Sequence, residues 1–261
     1  MNCNTDNEIE KIWKMVYNLS LNFLHDETLA EDATQEIFAK ANSAKESFRH
    51  ESSLGTWIYR IAYNYLVDQK KKKSKEQISF ELFEQDVNNY SPFENEMGLS
   101  KDEMKIYVEQ VKIGCTKAML QCLSPEERFA FILGNIFDFS SKDGAVICGT
   151  TEEAYRQRLS RASRKIKNFM KLNCGLLSPD ATCQCRKRIG VALERERINP
   201  DMLLHHTEST SIRNYLASMN EIDEAAEAFR SNPFINKPAK IDKPLKEKLN
   251  QLAEAGCSLS I

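Results

Sequence analysis

Residues 48–75 read FRHESSLGTWIYRIAYNYLVDQKKKKSK. Leu54, Trp57, Ile58, Ile61, Ala62, Tyr65 and Leu66 recur at helical spacing, which predicts one long helix from Phe48 to Lys75 with a single apolar stripe. Beside the stripe stand Thr56, Tyr59, Arg60, Tyr63 and Asn64, and the helix runs into Lys70, Lys71, Lys72, Lys73 and Lys75. Aromatic rings stack on unpaired bases and lysines neutralise phosphates, so this face suits single-stranded or melted DNA. A core helix ending in a solvated charge run would give the same pattern.

The surrounding chain favours helices throughout. Glycine and proline are scarce among the 261 residues and β-branched alternation is rare, so an all-α fold is expected. The net charge of −2 selects no partner, but the basic residues come in blocks. The first residues are polar and acidic and no stretch is long and apolar enough to span a membrane, which leads to the expectation of a cytoplasmic chain. Eight cysteines in such a chain are expected as thiols or metal ligands rather than disulfides.

Thr5 and Glu8 have capping-box spacing before a helix that buries Ile9, Ile12, Trp13, Val16, Tyr17 and Leu24. Thr28 and Glu31 repeat the spacing before a second helix, which buries Ala30, Ala33, Ile37, Ala41 and Ala44. Its outer face carries Glu31, Asp32, Gln35, Glu36 and, at the border, Phe38. That face could dock a basic partner or simply meet water. From Glu76 to Ser100 the periodicity weakens and acidic residues dominate, which reads as a mostly irregular linker. Helix is expected again from Lys101 to Cys122.

Leu123-Ser-Pro-Glu-Glu-Arg128 is a helix start, with Ser124 as the cap and Pro125 in the first turn. That helix is expected to run to Phe137, a short one with Ala145 and Ile147 inward to follow, and Gly149 to turn the chain at positive φ. Thr151 then caps a long helix with Tyr155, Leu159, Ala162, Ile166 and Phe169 on one side and arginines and lysines on the rest. Helix, short helix, glycine turn and basic helix form a helix-turn-helix pattern, whose last helix enters a major groove. Glu152 and Glu153 at its start suit the helix dipole and repel phosphate.

Two separated DNA-facing modules on an acidic linker resemble the bacterial RNA polymerase sigma factors of the extracytoplasmic-function (ECF) group. Leu29 to Phe38 is similar to that family's polymerase-binding helix, Phe48 to Asn64 with Asp68 to its promoter-melting segment, and Leu123 to Ala162 to its region 4. The resemblance implies residues 1–75 as a region 2-like domain, 76–100 as the linker, 101–172 as a region 4-like helix-turn-helix and 173–261 as a C-terminal extension. It implies that Asp32, Gln35, Glu36 and Phe38 dock on the clamp helices of the β′ subunit of core polymerase. His50, Ser52, Ser53, Thr56, Arg60, Asn64, Lys70 and Lys71 would bind the melted −10 element, and Arg156, Gln157, Ser160 and Arg161 the −35 duplex. Promoter DNA and core polymerase are the implied partners, with room for an anti-sigma factor and no catalysis. Gly144 stands where the family has a bulky apolar residue, and Lys71 where it has arginine.

In the extension, Cys174, Cys183 and Cys185 cluster in sequence and His205 and His206 follow. Three thiols and His205 would suit a structural zinc, the one cofactor the sequence suggests; plain reduced cysteines or a redox-sensing cluster are the alternatives. Glu208 to Phe229 and Pro244 to Ala255 read as two more helices. A stand-alone helix-turn-helix regulator would explain residues 123–171 and leave the first seventy-five without a role. A zinc hydrolase or deaminase would need a water-activating carboxylate motif, and none is present.

Overall fold

The computed structural model describes residues 5–72, 78–89, 93, 98–198, 200, 241 and 243–257. Among them the architecture is all-α, and the isolated bridge between Cys174 and Cys183 is the sole β pairing. The chain divides into two compact units. One contains the described parts of Met1–Lys75, Pro125–Leu159 and Phe234–Ile261; the other those of Glu76–Ser124 and Ser160–Pro233.

The first unit is built on α1 (Thr5–Leu24), α2 (Glu27–Ser43) and α3 (Leu54–Lys72). Ile9, Ile12, Trp13, Val16 and Tyr17 meet Ala30, Ala33, Ile37 and Ala41, and Leu54, Ile58, Ala62 and Leu66 complete the core. The small residues of α2 let α1 and α3 approach closely. Asp26, rather than Thr28, caps α2: its carboxylate accepts from the Leu29 amide at 2.8 Å. The helix expected from Phe48 starts only at Leu54. A 3₁₀ turn at Lys45–Ser47 ends at Phe48, His50 takes φ 55°, and the Ser53 hydroxyl accepts from the Thr56 amide at 3.1 Å. A left-handed residue and a capping serine stop the helix from propagating toward its N-terminus.

Three more helices belong to this unit: α6 (Pro125–Phe131), α7 (Ser141–Ile147) and the first half of α8 (Glu152–Asn173). The single helix expected to Phe137 turns into π geometry over Ile132–Ile136. Gly134 and Gly144 have a steric reason. A Cβ on Gly134 would lie 2.7 Å from a Leu159 methyl carbon, and one on Gly144 would lie 2.2 Å from the Tyr155 ring. Tyr155 is fully buried and its hydroxyl donates to the Ala130 carbonyl at 3.2 Å. Arg128 is also fully buried; it donates to the Phe23 carbonyl at 3.0 Å and lies over the Phe23 ring. Helix α10 (Lys243–Cys257) packs on α1, where Leu249 is buried and Lys246 pairs with Glu10 at 2.9 Å.

The second unit contains α4 (Phe80–Asn88), α5 (Lys101–Gln121), the end of α8 and α9 (Ile189–Glu194). Helix α4 corrects the reading of 76–100 as mostly irregular. Ser79 caps it, and Phe83 and Val87, one turn apart, are buried. Phe83 stacks on Phe169 at 5.0 Å. Met104, Tyr107, Val111, Ile189, Ala192 and Ile198 form the core. Asp86 gathers three arginines: Arg188 at 2.9 Å, Arg197 at 2.8 Å, and Arg195. The second expected tail helix, residues 208–229, and His205 and His206 lie outside the described residues.

Candidate nucleic-acid interface

The loop before α3 and the first turns of α3 enclose a cavity of about 240 Å³ lined by Phe48, Arg49, Ser52, Thr56, Trp57 and Arg60, among others. Trp57 stands half-buried with its ring 5.1 Å from that of Phe48, and Phe48 lies 4.4 Å from His50. Two aromatic faces beside two guanidinium groups can take an unstacked base and its phosphate. Of the residues expected at this site, Ser52, Thr56 and Arg60 line the cavity and His50 packs against its wall. Ser53 is a helix cap, hydrogen-bonded to Thr56 at 2.9 Å. Asn64 is exposed further along α3, followed by Lys70 and Lys71. Sequence reasoning missed Arg49 as a member of the site and took Trp57 only for core. The signal was an arginine between Phe48 and Trp57 in a stretch with no apolar period.

Much of the nucleic-acid face of α3 is occupied from within the same unit. The Tyr59 ring meets Phe139 edge-on at 5.7 Å, and that of Tyr63 meets Phe129 at 5.0 Å. Burial, with Glu8 adding to it, pushes the Tyr59 hydroxyl up to about 12. Both rings are half-buried and packed edge-on, so each is partly engaged within the unit. The Arg60 guanidinium lies over Gly149, with Nη2 3.3 Å from where a Cβ would stand. Lys71 pairs with Glu126 at 2.7 Å; that hydrogen bond and charge raise the lysine. Arg158 donates to the Tyr63 hydroxyl at 3.5 Å.

On α2, Asp32, Gln35 and Glu36 are exposed on one side. Phe38, expected beside them, is only 1% exposed and belongs to the core. Its position one residue past Ile37 still falls within the arc that α1 and α3 cover.

At the helix-turn-helix, Ser140 caps α7, and Gly149 turns the chain at φ 59°, the positive φ expected of it. The Thr151 hydroxyl accepts from the Ala154 amide at 3.2 Å and starts α8. Arg156, Gln157, Ser160 and Arg161 are all exposed and follow the i, i+1, i+4, i+5 spacing of one helix face. Glu152 and Glu153 reach one turn forward along α8, to Arg156 and Gln157. The two acids thus hold Arg156 and Gln157 along the first turns of the helix.

Cys174, Cys183 and Cys185 belong to the second unit and are free thiols. Among the described residues no group of three cysteine, histidine, aspartate or glutamate side chains is arranged to hold a metal ion as it stands.

The first module thus carries an acidic face on α2, and the helix-turn-helix an exposed arginine face on α8. Residues 9–76 match the family model for Sigma-70 region 2, and residues 113–166 that for Sigma-70, region 4. The ECF RNA polymerase sigma-E factor of Haemophilus influenzae is 33% identical over 151 residues, which cover 52% of this chain and 72% of that protein. The RNA polymerase sigma-H factor of Pseudomonas aeruginosa is 29% identical, over 58% of this chain and 78% of its own length. A probable RNA polymerase sigma factor of Haemophilus influenzae is 23% identical, over 65% of this chain and 91% of its own. The chain belongs to the ECF RNA polymerase sigma factors. It therefore acts with core RNA polymerase on promoter DNA, as an initiation factor. No described helix is long and apolar enough to cross a membrane.

Proposed function

We propose a division of labour along the chain. Residues 1–75 bind core polymerase and the −10 element, 76–100 link, 101–172 bind the −35 element, and 173–261 regulate or buttress. The observation that carries this reading is the aromatic and arginine-lined cavity before α3. It accepts a base flipped from the −10 strand, with Ser52, Thr56 and Arg60 on its walls, His50 beside it and Asn64, Lys70 and Lys71 following the backbone. The exposed Asp32, Gln35 and Glu36 dock on the β′ clamp helices, with Phe38 supporting their helix from inside. Arg156, Gln157, Ser160 and Arg161 read the −35 duplex, where arginine pairs with guanine and phosphate. The protein performs no chemistry of its own and works in the cytoplasm.

Run-off transcription with purified core polymerase on promoter fragments tests the reading. Transcripts from defined starts that require this chain, with permanganate-reactive thymines at −10, are the expected result. Duplex binding that is unchanged by core polymerase, with no transcript, would establish a stand-alone regulator instead.

A further inference from the structure

We propose that the second unit binds a small carboxylic acid with an apolar body, such as a medium-chain fatty acid, in the cavity between α4, α5 and the residues around α9. The carboxylate is taken by Gln110 and Arg197, and the body lies along Gly114 of α5.

The cavity measures about 240 Å³, and the described residues that line it all belong to this unit. Leu82, Phe83 and Val87 of α4 and Val111, Gly114 and Ala118 of α5 make its lining largely apolar. Leu82 is 58% exposed, so the apolar lining is open to an incoming molecule. Gly114 stands inside α5, where glycine is the poorest helix former after proline. Its φ is not positive, and a Cβ there would meet nothing within 4 Å among the described residues. Neither backbone conformation nor a close neighbour asks for glycine at this position. What the missing side chain leaves is room in the cavity. An apolar cavity of about 150 Å³ takes benzene, so this one takes roughly ten heavy atoms, the size of octanoate.

The polar part of the lining selects the head group. Gln110 lines the cavity and is 8% exposed, and its Nε2 is buried with no hydrogen-bond partner among the described residues. A buried N–H donor without an acceptor is costly, and a ligand oxygen removes that cost. Asp86, Arg188 and Arg197 line the same cavity. Asp86 pairs with Arg188 at 2.9 Å, with Arg197 at 2.8 Å, and with Arg195. One carboxylate against three guanidinium groups leaves positive charge in excess. Arg197 donates to Asp86 at 2.8 and 3.0 Å, yet its side chain is 45% exposed and its planar fork carries further N–H groups. Such a fork matches a second carboxylate, as the charge balance requires. Donors and excess positive charge call for an anion, and the apolar walls call for hydrocarbon attached to it.

Isothermal titration of the full chain with octanoate tests this, with octanamide as the neutral match and acetate as the head group without the body. One octanoate per chain, with a Kd of about 100 μM, is expected, with octanamide about tenfold weaker and acetate silent. Gly114→Leu fills the cavity from a better helix former and should abolish octanoate binding without lowering the Tm. Gln110→Leu removes the buried amide and should weaken octanoate about tenfold, which gives an independent reading if Gly114→Leu fails to fold by circular dichroism. A wild-type chain that takes up no octanoate at millimolar concentration overturns the proposal. So does a folded Gly114→Leu chain that binds octanoate as the wild type does. Octanamide binding as tight as that of octanoate overturns the assignment of an anion, and non-saturable uptake of many octanoates per chain overturns the site.

Discussion

Helices α3 and α8 are both expected to meet DNA, and they present themselves differently. On α8 the four side chains expected to read the duplex are exposed, with Arg156 and Gln157 steadied by glutamates of their own helix. On α3 the aromatic and basic side chains are engaged by α6, α7 and the start of α8. The α8 face is exposed as it stands. On the proposed role of α3, a DNA strand competes with its packing against Phe129, Phe139 and Gly149. A face already engaged inside the protein gains only the difference between the two sets of contacts. On the proposed roles, an encounter of α3 with DNA is opposed by these contacts, whereas duplex reading through α8 is not.

The strongest way to break this comparison is Arg128→Ala. Arg128 is fully buried between α6 and α1, where it satisfies the Phe23 carbonyl. Removing it leaves a cavity and an unpaired carbonyl, for an expected loss of about 3 kcal/mol in denaturant unfolding. A loss below about 0.5 kcal/mol, the range of ordinary surface substitutions, would mean that α6 does not rest on α1 in solution. The occupied face of α3 would then be free.

A second substitution sharpens the contrast from the other unit. Burial raises the Asp86 carboxyl, but the Arg197 hydrogen bond and the charges of Arg197, Arg188 and Arg195 outweigh it and hold the group below its ordinary 3.8. A depressed carboxyl contributes stability that is fully present above the unfolded value. That stability is lost as pH falls through the lower folded value. Asp86→Asn should cost about 2 kcal/mol at neutral pH and remove part of the acid sensitivity below pH 3.8. The check is a stability-versus-pH series by circular dichroism. An unchanged acid limb would discount the arginine cluster as the source of the sensitivity.

These two residues also mark how far the sequence could be read. The stripes of α1, α2, α3 and α8 were legible because apolar residues recur over several turns. So were the Gly149 turn and the exposed face of α8. Helix α4 was not, since Phe83 and Val87 give it one repeat in nine residues, and periodicity needs more. Asp86 looked like one more acid in an acidic linker, because its arginines follow a hundred residues later. Gly144 read as a weak point in a helix, yet it makes room for the Tyr155 ring. Local pattern reveals which face is apolar, while the partner that covers a polar face is a matter of tertiary contact.

Arg161→Ala and Arg60→Ala compare the two helices directly. Loss of an exposed arginine from α8 should weaken −35 duplex binding by roughly 1–2 kcal/mol, about tenfold, in a footprint with holoenzyme. Arg60→Ala should cost less than Arg161→Ala in duplex binding and act mainly on opening of the −10 strand, read by permanganate reactivity. Equal effects of the two variants on both readouts would erase the distinction between an exposed and an engaged face.

The smallest effect tests the competition itself. Lys71 and Glu126 pair at 2.7 Å, and the lysine side chain is more than half exposed. An exposed pair of this kind contributes at most about 0.5 kcal/mol to stability, and salt weakens it. Its use lies in competition, because Lys71 cannot hold Glu126 and a DNA phosphate at full strength together. Glu126→Gln should therefore leave unfolding nearly unchanged while freeing Lys71, so that binding of −10 single strand rises modestly at low salt. Lys71→Gln should lower that binding, and the double variant should match Lys71→Gln alone. If Glu126→Gln strengthens single-strand binding to the same degree in a Lys71→Gln background, the glutamate acts through general repulsion and not through the pair. The contact between α3 and α6 would then carry no information to the −10 face.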